Sequence, residues 1–273
     1  MTGRHRSSVE VHHVIDASAD LPLDAPTVVL SNSLGSTLTM WDQQVAALAQ
    51  HFRVVRYDTR GHGGSPVPDG PYTIDDLADD VLDLLDRLDL ERVHFVGLSL
   101  GGMTSMRLAA RNPERVDRLA VLCTSALFGP AQSWHDRAAM VRAQGSSAVA
   151  EAVVGRWYTN GFVDRHPDRI ATARAMVAST PAEGYASCCE VIATMDLTGD
   201  LASITAPTLA IAGADDPATP PWHLERIATG VANGRLVVVP ESAHLANDEQ
   251  PATVTAGLLE HLTGAVVLNR GSK

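Results

Sequence analysis

The chain is 273 residues long, enough to bury one sizeable core of the α/β kind. Its 45% hydrophobic and 19% charged residues are ordinary for a water-soluble globular protein. A formal net charge of −11 at pH 7 argues against nucleic acid and anionic membrane surfaces as partners, and obliges any anionic ligand to find a local cation.

In chain order, Val9–Ile15 reads as an edge strand, and Thr27–Asn32 and Val54–Tyr57 read as buried strands. Asp75–Leu90 places Leu77, Val81, Leu84, Leu85 and Leu88 at helical spacing behind an acidic first turn. Its acidic run is expected to be a solvated face and not a metal site. Val93–Val96 is a strand that runs into Gly97-Leu98-Ser99-Leu100-Gly101, and Gly102–Ala110 continues as a helix. Leu119–Cys123, Thr208–Ala212 and Leu236–Val239 are further strands, and Ala252–Leu262, behind Pro251, is the last helix. Continuous apolar runs separated by helices predict an α/β fold with a mostly parallel central sheet covered on both faces. From Phe128 to Leu197 the alternation stops. Helical patterns at Trp134–Ala143, Ser147–Tyr158, Asp168–Ser179 and Ala182–Met195 predict an all-helical insertion, a lid over the site. The expected division is a core of residues 1–127 and 198–273 and a lid of residues 128–197.

Of the three cysteines, Cys188 and Cys189 are adjacent and Cys123 sits in a strand-like run, which is no disulfide framework. Met1–Arg6 has no apolar segment behind it, and no stretch reaches the length of a membrane span. A cytoplasmic protein with no membrane partner is expected, and a homo-oligomer is left open.

The segment Gly97–Gly101 is a G-x-S-x-G nucleophile elbow in its strand–turn–helix setting. A serine hydroxyl needs an adjacent base, and in this setting the triad runs serine, acid, histidine along the chain. The loop after Thr208–Ala212 offers Asp215 and Asp216, and the loop after Leu236–Val239 offers His244. Both leave the carboxyl ends of their strands, where such sheets bind ligands. Asp216, which precedes a Pro-Ala-Thr-Pro turn, is the expected acid, with Asp215 the turn cap. The backbone N–H groups of Leu34, in Asn32-Ser33-Leu34-Gly35, and of Leu100 are the expected oxyanion donors. The Asp58–Ser65 loop has glycines, Arg60 and His62 but lacks a P-loop ending, so it reads as a structural turn.

Together these segments resemble the α/β-hydrolase superfamily over essentially the whole chain. More narrowly, Ser31–Gly35 with Met40-Trp41-Asp42, then Asp58–Gly63, Gly97–Gly102, and His244–Asn247 with Glu249-Gln250-Pro251, resemble 3-oxoadipate enol-lactonase of the β-ketoadipate pathway in aromatic catabolism. The resemblance implies hydrolysis of a five-membered enol-lactone with an acetate arm to 3-oxoadipate, with no cofactor and no metal. Such a small anionic lactone needs donors for its free carboxylate. Trp134 and Arg137 share a helix face in the lid and are the expected substrate-binding pair, with Arg156-Trp157-Tyr158 a second candidate read first as lid packing. The alternatives are a general carboxylesterase or cofactor-free perhydrolase with the same triad, and a non-catalytic binding module of the same fold. A carboxylate clamp in the lid favours the lactonase, and a wholly apolar lid favours the esterase or perhydrolase.

Overall fold

The computed structural model describes residues 8–264. The reading of Met1–Arg6, and the ends of the 1–127 and 198–273 segments beyond those limits, lie outside the described residues. Seven strands form one sheet: β1 (His13–Asp16), β2 (Thr27–Ser31), β3 (Arg53–Tyr57), β4 (Val93–Leu98), β5 (Val116–Leu122), β6 (Thr208–Gly213) and β7 (Gly234–Val239). Their order is β1-β3-β2-β4-β5-β6-β7, with every pair parallel except β1 with β3. All residues of β2, β4 and β6 are buried, as strands covered on both faces require.

The edge strand is shorter than Val9–Ile15 and lies later. The Val9 N–H donates to the Asp80 carboxylate at 2.8 Å and the His12 N–H to the Ser65 hydroxyl at 2.9 Å. Side chains satisfy that backbone, so it needs no ladder.

The core helices are α1 (Asp42–Leu48), α2 (Ile74–Arg87) and α3 (Leu100–Arg111). A Thr73–Asp76 capping box starts α2. Its acidic run is not simply a solvated face. Asp75 and Asp79 pair with Arg107 and Arg111 of α3, and buried Asp80 pairs with Arg60 at 2.6 Å. Helical spacing shows which acids share a face, but not that a neighbouring helix brings arginines to it.

Between β5 and β6 lie α4 (Ala131–Gln144), α5 (Ser147–Val154), α6 (Asn160–Arg165), α7 (Pro167–Ser179) and α8 (Ala182–Thr194). Leu127 and Asp196 form an isolated bridge, so the chain leaves and rejoins the core at one neck. The helix expected over Ser147–Tyr158 stops at Val154. Tertiary bonding overrides it, because the Trp157 carbonyl accepts from the Leu245 N–H at 2.9 Å instead of an intrahelical partner. The chain finishes with α9 (Pro221–Gly230), α10 (Ala246–Glu249) and α11 (Pro251–Thr263). Among the described residues no helix is long and apolar enough to cross a membrane.

Candidate active site

The turn between β4 and α3 is built by steric exclusion. Ser99 sits at φ 55° and ψ −116°, a strained conformation that costs about 1–3 kcal/mol and persists only where its surroundings impose it. Its N–H donates to the Leu122 carbonyl at 2.9 Å, and its carbonyl accepts from the Thr124 hydroxyl at 2.7 Å. A Cβ at position 97 would lie 2.2 Å from the Gly101 carbonyl oxygen, and one at position 101 would lie 2.3 Å from that of Ser31. Neither position tolerates a side chain, so both glycines follow from the close approach.

The loops after β6 and β7 bring Asp216 and His244 together. His244 Nδ1 lies 2.8 Å from Asp216 Oδ2, and both residues are buried, whereas Asp215 is exposed. Thr219, unmarked in the sequence reading, donates its hydroxyl to Asp216 Oδ2 at 2.6 Å. The Ala218 and Thr219 N–H groups donate to Oδ1 at 2.8 and 3.1 Å. Burial alone would raise the Asp216 carboxyl, but the His244 ring and these donors outweigh it and bring it down to about 2. Asp216 is thus a fixed anion, and its bond to Nδ1 leaves Nε2 of His244 free for chemistry.

The Asn32–Gly35 loop lies directly against the elbow, since the Gly101 N–H donates to the Asn32 carbonyl at 2.9 Å. Asn32 is a buried clamp: its Nδ2 donates to the Tyr57 carbonyl at 2.7 Å and its Oδ1 accepts from Trp41 Nε1 at 3.1 Å. The Asp58–Ser65 loop supports this one from behind. His62 Nε2 accepts from the Gly35 N–H at 3.0 Å, and Asp58 Oδ1 accepts from the Leu38 N–H at 2.8 Å. Burial lowers His62 to about 4, against the opposing pull of the Arg60 carbonyl and Asp58, so the ring is neutral and can accept. Among the described residues, neither Leu34 nor Leu100 donates its backbone N–H to a protein acceptor.

Ser99, His244 and Leu34 line one cavity of about 210 Å³, and Trp134 and Arg137 of α4 line it too. Leu100 is buried and is not among the residues that line it. The Arg137 guanidinium lies over the Trp134 ring, 4.5 Å from its centroid. Arg156 also lines the cavity, as does Trp157. Arg156 is therefore a cavity-lining residue and not packing alone, on the segment that follows the end of α5 at Val154. Tyr185 of α8, absent from the sequence reading, lines the cavity as well.

A strained serine elbow on a parallel sheet, with an acid–histidine pair on the loops of β6 and β7, defines a class. Residues 26–251 match the family model for the alpha/beta hydrolase fold, and the chain belongs to that family. Within it, the chain is similar to 3-oxoadipate enol-lactonase 2 of Acinetobacter baylyi, at 42% identity over 228 residues, 84% of this chain and 85% of that one. The solved enol-lactonase from Burkholderia xenovorans LB400 is similar at 43% identity with a TM-score of 0.90, covering 93% of this chain and 97% of that one. A malate-bound thermophilic esterase from Thermogutta terrifontis has a TM-score of 0.87 at 30% identity, with 94% of each chain covered.

Proposed function

We propose that this protein opens 3-oxoadipate enol-lactone to 3-oxoadipate through an acyl-enzyme on Ser99. His244 takes the Ser99 proton, and Ser99 attacks the lactone carbonyl. Asp216 orients His244 and balances its charge, while the Leu34 and Leu100 N–H groups receive the oxyanion, each such donor lowering the barrier by about 3–4 kcal/mol. The leaving group is an enol that becomes a ketone, and water activated by His244 then releases the product.

The observation that carries this reading is that Arg137 lines the same cavity as Ser99. In a chain of net charge −11, a guanidinium in the cavity that Ser99 lines supports an anionic substrate over the neutral ones of a general esterase or perhydrolase. The helices α4–α8 act as the lid that carries it. The similarity to two enol-lactonases supports the same substrate, and three buried free cysteines support a reducing compartment. A non-catalytic binding role has no such support, because it leaves the Ser99 strain and the Asp216–His244 pair without a use.

The test follows loss of the lactone's ultraviolet absorbance beside hydrolysis of a neutral aryl ester. The lactone should be preferred in kcat/KM by about 100-fold or more, and Arg137→Gln should erode that preference through KM. Brisk ester hydrolysis with no lactone turnover would overturn the assignment.

A further inference from the structure

Four consecutive amides, those of Ser33, Leu34, Gly35 and Ser36, run through the buried loop beside the elbow. Three of them have acceptors. The Ser33 N–H donates to the Met40 sulfur at 3.2 Å, the Gly35 N–H to His62 Nε2 at 3.0 Å, and the Ser36 N–H to the Ser33 carbonyl at 3.2 Å. Among the described residues the Leu34 N–H alone of the four has no protein acceptor, and Leu34 lines the cavity with Ser99. A buried N–H without a partner is rare and costly, so one that borders a reaction cavity has a use there.

The three acceptors differ in what they fix. The Met40 sulfur and the Ser33 carbonyl belong to the same stretch of chain as the loop and travel with it, and a thioether is a weak acceptor. His62 lies 27 residues from Gly35, on the loop after β3, so it alone ties these amides to another part of the core. Its Nδ1 is 3.2 Å from the Arg60 carbonyl, which can only accept. Nδ1 therefore carries the proton, and Nε2 keeps the lone pair that receives the Gly35 N–H. The ring is buried, and its own loop is fixed in place. A Cβ at position 61 would lie 2.4 Å from Gly184 Cα of α8, so the two backbones are in contact.

The Leu34 and Gly35 N–H groups flank one Cα, so only φ and ψ of Leu34 separate the free donor from the one that His62 holds. We propose that His62 is a positioning residue of the oxyanion hole, whose Nε2 lone pair holds the Leu34–Gly35 peptide so that the Leu34 N–H stays available to the oxyanion. The inference deepens the acyl-enzyme reading and rests on it, though not on which ester is opened. Without that acceptor the Gly35 N–H is a buried orphan, and turning its peptide to satisfy it moves the Leu34 N–H as well. His62 touches neither substrate nor Ser99 in this arrangement, so its effect falls on the transition state, where the oxyanion exists, and not on substrate binding.

Two amide substitutions separate the roles of the two ring nitrogens. In His62→Asn the amide nitrogen takes the place of Nδ1 and keeps the Arg60 bond, but the side chain is too short for Gly35. In His62→Gln the side-chain oxygen reaches the place of Nε2 and accepts from the Gly35 N–H. With a neutral aryl ester and with the lactone, His62→Asn should lower kcat about 10²-fold and leave KM within about three-fold, and His62→Gln should recover most of the loss. Amide proton shifts read the same point in the unaltered protein. When an alkyl phosphonate forms a tetrahedral adduct on Ser99, the Leu34 amide proton should move downfield, and the Gly35 amide, already bonded, should not. An unchanged kcat in His62→Asn, a loss carried by KM, a His62→Gln protein as impaired as His62→Asn, or a Gly35 amide that moves in place of Leu34 would overturn the proposal. Failure of Ser99 to take the phosphonate would remove the acyl-enzyme reading itself. Normal labelling with any of those four results would remove the positioning role alone.

Discussion

Asp216 accepts from two backbone N–H groups and the Thr219 hydroxyl while its other contact is the His244 ring. An amide there would offer its own N–H to one of those donors and would favour the wrong imidazole tautomer. Asp216→Asn should therefore lower kcat about 10⁴-fold with little change in the unfolding temperature. A loss smaller than ten-fold would contradict the assignment of this carboxylate. At this scale the residues divide by the reach of their signals. Ser99 and His244 sit in local patterns, a glycine-flanked turn and a loop just after a strand, and so could be read from neighbours in the chain. Thr219 lies within such a pattern, yet its bond to Asp216 depends on the turn closing. His62 and Arg156 are defined by distant partners, the Gly35 N–H and the bond from Leu245 to Trp157, and no local pattern encodes those.

The strands, though not their order, were legible because continuous apolar runs separated by helices mark a parallel sheet covered on both faces; β1 moved where side chains took over its backbone bonds, and β5 begins three residues before its apolar run. The lid was legible as helical but not in its joints. Its α5–α6 connection is tied to the loop that carries His244. Glu249 Oε2 accepts from the Ala243 N–H at 2.8 Å, and Oε1 accepts from the Thr159 N–H at 3.1 Å and from the Thr159 hydroxyl. Beside it, Asp248 accepts from the Tyr158 hydroxyl at 2.8 Å and pairs with Arg169. One buried carboxylate thus holds the His244 loop and the helical insertion in register. Glu249→Gln would set an N–H against one of its donors, and should cost about 1–3 kcal/mol of stability. Thermal unfolding reads this directly, and an unchanged midpoint would show that the tie carries no stability.

The whole molecule should be sensitive to acid. Burial lowers both His62 and His261 to about 4, with backbone carbonyls opposing in each case. Between about pH 6.5 and 4 the unfolded chain binds protons that the folded protein refuses, so stability is full above that window and falls as the pH drops through it. His62 alone accounts for about 3 kcal/mol across the window. Asp216, held at about 2, extends the loss from about pH 4 downwards. Unfolding temperatures that stay flat from pH 7 to about 4.5 would contradict neutral buried histidines. Ser99 is the proposed nucleophile, and its removal is the sharpest test of the account. Turnover of the enol-lactone should be measured for the unaltered protein and for Ser99→Ala at equal concentration and pH. A fall of about 10⁴-fold or more in kcat is predicted, with the fold intact by circular dichroism. Retention of activity within ten-fold would mean that the lactone is opened without Ser99, and the central claim would fail.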